Sequence, residues 1–167
     1  MQTKDELEAF YANEDPWEYK VNPYDAVRKQ RILEAVQHKQ FHSALDIGAG
    51  EGFITKDLPA NYLYAIELSD TAAARLPDNI QRISEPKRKY SLIVASGVLY
   101  QQYDNKTILD WIRAHAGGIV VTCNIHGWEI NDLPRSKLVS ESYFPYRQYI
   151  QHLVVYDFTP QHRAKAE

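Results

Sequence analysis

Ala44-Leu45-Asp46-Ile47-Gly48-Ala49-Gly50-Glu51-Gly52-Phe53 joins an apolar run, an acid and three glycines at alternate positions. Its first part, Ser43–Ile47, has the composition and length of a buried strand. Glycines let the backbone turn sharply and come within contact distance of a ligand. The residues that follow, Gly52–Leu58, read as a helix. A turn of this kind at the carboxyl end of a strand is where open α/β sheets bind nucleotide-like molecules. A second apolar run, Tyr62–Ile66, ends in Glu67, an acid able to accept hydrogen bonds from a ribose diol. Together the two segments imply an adenosine-type ligand.

The spacing narrows the choice. A dinucleotide fingerprint reads G-x-G-x-x-G, its third glycine allowing close helix–strand packing. Here Gly48, Gly50 and Gly52 give G-x-G-x-G, and Phe53 stands where the third dinucleotide glycine would be. Asp46, two residues before the first glycine, would repel a pyrophosphate but suits a ligand with a cationic amino group and a sulfonium. The competing explanation is a chance turn between a strand and a helix. The acid about 20 residues further on weighs against it.

A chain of 167 residues implies a single domain over 1–167. Residues 1–40 read as a helical cover and 41–167 as the core. The net charge of −3 gives no general pull toward nucleic acid or an anionic membrane. No run is long and apolar enough to span a bilayer. The polar, acidic start Met1-Gln2-Thr3-Lys4-Asp5-Glu6 is no secretory signal, so the expected compartment is the cytoplasm. The one cysteine, Cys123, lies in an apolar run and reads as a core residue.

Asp5–Tyr11 forms a short helix in this reading, broken by Asp15-Pro16-Trp17. Asn22-Pro23 is a cap followed by proline at the first helical position, opening a helix to about His38. Val27, Ile32, Leu33 and Val36 fall on its apolar face. Strands are expected at Ser43–Ile47, Tyr62–Ile66, Ile80–Ile83, Tyr90–Ala95, Gly118–Asn124, Leu138–Tyr143 and His152–Phe158, with helices at Gly52–Leu58, Ser69–Leu76 and Asn105–Ala116. Such alternation implies a mostly parallel sheet with helices on both faces. The last two strands are too close for a helical crossover and should form an antiparallel hairpin. His126–Lys137 lacks helical pattern and reads as a loop or a single turn.

The glycine turn and its two acids resemble motif I of the class I S-adenosylmethionine (SAM) methyltransferases. Tyr11-x-x-x-x-Pro16-Trp17-x-Tyr19, Pro23-Tyr24-Asp25, Arg28-Lys29-x-Arg31 and Ser96-Gly97-Val98-Leu99-Tyr100 resemble the nodulation-type (NodS-like) members over roughly residues 10–103. The resemblance implies a Rossmann-like α/β fold of seven strands ending in an antiparallel hairpin. It implies SAM as methyl donor and S-adenosyl-L-homocysteine as product.

It also implies residue roles. Gly48, Ala49 and Gly50 approach the methionine part of SAM, with Asp46 near its amino group, directly or through water. Glu67 takes the ribose hydroxyls, and Leu68 packs on adenine or serves only the core. Ser84 and Glu85 follow the third strand, where the family contacts adenine. Ser96 and Val98 offer carbonyls to the ligand's ammonium. Arg28 suits its carboxylate as a bidentate fork, unless it is an exposed helix residue. Trp17, with Tyr11 and Tyr19, forms either a lid or an anchor for the N-terminus.

Methyl transfer needs an aligned nucleophile more than a strong base. Candidates at the rim are Tyr100, Tyr103, Asn124, His126 and Trp128, with His126 able to act as base near neutral pH. His38 and His42 are separated by a helix end and suggest no metal ligand set. The leading expectation is methylation of an amine or hydroxyl on a small molecule, a sugar or natural-product precursor, by a monomer or homodimer. An RNA or protein methyltransferase and a non-catalytic SAM-binding protein are the alternatives.

Overall fold

The structure, a computed structural model, describes residues 3–160. The ends of the expected domain, residues 1–2 and 161–167, lie outside the described residues. Thr3 opens the first helix: its hydroxyl accepts from the Glu6 amide, and the Glu6 carboxylate accepts from the Thr3 amide. This reciprocal box satisfies two orphaned donors at the start of α1, Lys4–Tyr11. Asn22 caps α2, Pro23–Val36, by accepting from the Tyr24 and Asp25 amides.

The inward face of α2 differs from the expected one. Asp25, Arg28, Ile32 and Val36 are buried, whereas Val27 is 40% exposed. Two of the four inward residues are charged, and they pair at 2.7 Å. Hydropathy alone could not select them, because burial of each charge depends on the other.

The sheet has seven strands: β1 (Phe41–Ile47), β2 (Ala60–Ile66), β3 (Ile80–Arg82), β4 (Tyr90–Ser96), β5 (Ala116–Ile125), β6 (Leu138–Tyr146) and β7 (Tyr149–Asp157). Their order is β3-β2-β1-β4-β5-β7-β6. The first five are parallel; β7 runs antiparallel to both β5 and β6. The hairpin strands run longer than expected and close around Arg147-Gln148, with Arg147 in a left-handed conformation.

Alternation along the strands serves two cores. Ala44, Leu92, Val94, Val121 and Leu153 meet Ile32 and Val36 of α2 on one face. Leu45, Ile93, Val120 and Val154 meet Ile108, Leu109 and Ile112 of the next long helix on the other. The expected layering, helices on both faces of a mostly parallel sheet, is the one observed.

Two expected helices shrink. Gly52–Leu58 contains only a 3-10 turn, Thr55–Asp57. Gly52 sits at φ +82°, and Leu58, held extended before Pro59, cannot continue a helix. Ser69–Leu76 keeps α3, Asp70–Ala73, with the Ser69 hydroxyl accepting from the Ala72 amide. The long helix after β4 is α4, Asn105–His115. Residues 126–137 form a loop ending in one turn, Arg135–Lys137, as expected. Among the described residues, no helix is long and apolar enough to cross a membrane.

Candidate functional site

The carboxyl ends of β1, β2, β4 and β5 converge where the sheet order reverses, the place open α/β sheets reserve for ligands. The glycine turn leaves β1 there. The Gly48 and Ala49 amides donate to the Ile66 carbonyl at 2.8 and 3.2 Å, folding the turn onto the end of β2. Gly48 and Gly50 have φ of +75° and +56°. A Cβ on Gly48 would lie 2.2 Å from Val98 Cγ1, and one on Gly50 would lie 2.8 Å from the Tyr11 hydroxyl. The turn therefore needs glycine for conformation and for space.

Glu67 is locked beside it. One carboxylate oxygen accepts from the Gly50 amide and the other from the Ser69 amide, each at 2.8 Å. Burial raises this carboxyl above the usual range, against the pull of those amides. Asp46 lies beneath the turn, 3% exposed, and accepts from the Thr55 hydroxyl at 2.6 Å. Burial pushes it up to about 6, with the Thr55 bond opposing.

Above the turn is a cavity of about 490 Å³, within the range of small-molecule sites. Gly48, Gly50, Glu67 and Leu68 line one end, and Tyr100, Trp111 and Trp128 line another part of the wall. Trp17 and Tyr11 cover the glycine end. The Trp17 indole donates to the Tyr11 hydroxyl at 3.0 Å and packs on Phe10. The loop carrying Trp17 is fixed by Asp15, whose carboxylate accepts from the Tyr19 and Lys20 amides. Glu8 of α1 accepts from the Asp70 and Thr71 amides and from the Ser69 hydroxyl, tying the cover to the loop after β2.

No family model and no curated protein sequence matches the chain. Solved structures do. The N-methyltransferase NodS from Bradyrhizobium japonicum WM9, in complex with S-adenosyl-L-homocysteine, superposes with a TM-score of 0.77 at 19% identity, over 94% of this chain and 98% of that one. Magnesium protoporphyrin IX methyltransferase (ChlM) from Synechocystis PCC 6803 with bound SAM gives 0.60 at 10% identity, over 81% and 77%. The DhpI–SAM–HEP complex gives 0.59 at 16%, over 95% and 83%.

This is the class I methyltransferase fold.

Within the methyltransferase fold, the residues singled out from sequence divide into two groups. Gly48, Gly50, Glu67, Leu68, Ser96, Val98, Arg28, Trp17 and Tyr100 all line the cavity. Ala49 contributes its amide to the turn and Asp46 supports the turn from below, but neither lines the cavity wall. Ser84 and Glu85 are exposed and off the cavity. The edge strand β3 ends before them, and Arg82 instead donates to the Glu67 carbonyl at 2.7 Å.

His126 also lies off the cavity. Ile125, the last residue of β5, faces the cavity, and His126 begins the turn that follows, where its side chain is 54% exposed. Tyr100 lines the wall, but its hydroxyl accepts from the Ile125 amide at 2.7 Å, and burial pushes it up to about 12. It therefore keeps its proton at neutral pH.

Arg28 belongs to a buried polar cluster that sequence reasoning missed. It pairs with Asp25 and donates to Ser96 Oγ at 3.3 Å. Asp25 also accepts from Asn22 at 2.7 Å and from the Tyr146 hydroxyl at 3.1 Å. Arg28 Nε is buried without a protein partner. The i,i+3 spacing of Asp25 and Arg28 was the one local signal; Tyr146 arrives from the hairpin.

Proposed function

We propose that this chain is a SAM-dependent methyltransferase acting on an amine of a small molecule. The observation that carries the reading is the glycine turn bonded to Glu67 at the mouth of a cavity lined in part by tyrosines and tryptophans. The residues fit the donor: Gly48 and Gly50 leave no Cβ between backbone and cavity, and Arg28 Nε is a buried donor still in need of an acceptor. When bound, SAM supplies an electrophilic methyl that passes to an acceptor lone pair by in-line displacement, leaving S-adenosyl-L-homocysteine.

The protein's part is to hold and to exclude. Glu67, oriented by two amides, takes the ribose diol, and Leu68 covers the adenine side. Gly48, Gly50 and the carbonyls of Ser96 and Val98 border the methionine part, with Arg28 as partner for its carboxylate. Asp46 acts through the turn it supports. Trp17 and Tyr11 exclude water over the donor. No histidine lines the cavity among the described residues. That favours an amine, which can arrive neutral, over a hydroxyl, which needs a base, because the lining acids Asp25 and Asp104 are already engaged by Arg28 and by the Thr107 amide. The likeness to NodS, an N-methyltransferase, points the same way.

Calorimetric titration with SAM, S-adenosyl-L-homocysteine and NAD in parallel tests the reading. Micromolar binding of the first two and none of NAD is expected. Glu67→Ala should weaken SAM by about 1.5–3 kcal/mol, the worth of hydrogen bonds to a charged group. Binding of NAD, or retained SAM affinity in Glu67→Ala, overturns it.

A further inference from the structure

The side chains at the hairpin end of the sheet assemble a second site, outside the methyl-donor cavity. His126 follows β5, Glu129 lies three residues on, and His152 comes from β7. One ligating atom from each falls within 4.8 Å of the others. Glu129 Oε1 is 3.4 Å from His126 Nδ1 and 3.0 Å from His152 Nδ1. Two ligands held about 2.1 Å from one ion at tetrahedral angles stand about 3.4 Å apart; the His126 separation matches this, and the His152 one is shorter and would open on binding.

Two further observations point to a ligand. Glu129 Oε2 is buried with no hydrogen-bond partner, an acceptor lacking a donor or cation. His152 Nε2 is 3.1 Å from Glu141 Oε2 on β6. A histidine that binds metal through one ring nitrogen commonly gives the other N–H to a carboxylate, which sets its tautomer and raises its basicity. Tyr143 stacks on the His152 ring at 4.4 Å and fixes its plane.

We propose that His126, Glu129 and His152 bind one divalent transition-metal ion of the Zn²⁺ class, with Glu141 orienting His152 and water completing the coordination. Two imidazoles with one carboxylate select against Mg²⁺ and Ca²⁺, which take oxygen ligands. The ion joins the loop after β5 to the hairpin. Glu129 bridges to Tyr100 and is followed by Ile130, whose amide donates to the Leu99 carbonyl; Trp128, beside it, lines the donor cavity. The metal therefore braces the cavity wall without touching the methyl donor.

The test uses the full-length, tag-free chain after chelator treatment, titrated with Zn²⁺ alone, with Co²⁺ as a visible-absorbance probe. One ion per chain is expected, with the intense Co²⁺ bands of a four-coordinate site. His126→Ala and His152→Ala should each weaken Zn²⁺ by about 100-fold or more, and Glu141→Gln by about 10–100-fold. His38→Ala should leave it unchanged. His126 is a surface residue, so its variant keeps the fold and decides the matter if His152→Ala does not fold. Absence of bound ion, or undiminished Zn²⁺ affinity in His126→Ala, overturns the proposal.

Discussion

The two halves of the sheet place chemistry by different means. At the β1–β2 end the work is done by main chain: the Gly48 and Ala49 amides on the Ile66 carbonyl, and the Gly50 amide on Glu67. At the β5–β7–β6 end it is done by side chains from distant segments, Arg28 and Asp25 with Tyr146, and His126 and Glu129 with His152. Main-chain geometry tolerates few residue types and leaves a compact trace in the sequence. A side-chain cluster tolerates any order of its members along the chain and leaves almost none.

The contrast predicts different costs of damage. The largest should come from the side-chain end. Arg28→Met leaves Asp25 buried and unpaired, and should cost about 3–5 kcal/mol in denaturant unfolding. Arg28→Met with Asp25→Leu should recover most of that loss, because the penalty belongs to the stranded charge. A double variant no better than the single one would show that the pair does not share its burial cost.

The second effect is a pH dependence at the main-chain end. Burial holds the Asp46 carboxyl at about 6, above the 3.8 of a free aspartate. As pH rises the unfolded chain gives up this proton first, so the contribution of Asp46 to stability is full below about pH 4 and is lost as pH passes about 6. The loss is on the order of 3 kcal/mol. Asp46→Asn keeps an acceptor for Thr55 and should flatten the curve over that window. Unfolding measured across the window in both proteins checks it; identical slopes would contradict the burial of an ionising Asp46.

The third effect concerns the turn itself. Gly48→Ala forces a side chain into left-handed backbone, which costs about 1–3 kcal/mol, and drives its Cβ into Val98. Val98→Ala should relieve the contact and leave the backbone term. Thermal unfolding of the single and double variants separates the two. Full rescue by Val98→Ala would mean that space, not conformation, requires glycine at 48.

The legible features were local ones. The Asn22 cap with Pro23, the period-two strands and the glycine spacing each act over a few residues, and the expected strands fall close to the observed ones. The losses have particular reasons. Ser84 and Glu85 were placed by analogy to a third strand that here is only three residues long at the sheet edge. His126 was placed by its position after β5, but the turn that begins there carries its side chain away from the cavity. Val27 was taken for the core because hydropathy cannot anticipate that Asp25 and Arg28 are buried as a pair.

The order of residues therefore settled the sheet, its hairpin and the bend that lines the cavity, since these follow from backbone preferences and alternation within short windows. The shape of the cavity, the inward turn of Arg28 and the meeting of two histidines with Glu129 were settled only when the chain closed on itself. Those depend on contacts between segments up to 121 residues apart, as Asp25 and Tyr146 are, and no local preference encodes a partner at that distance.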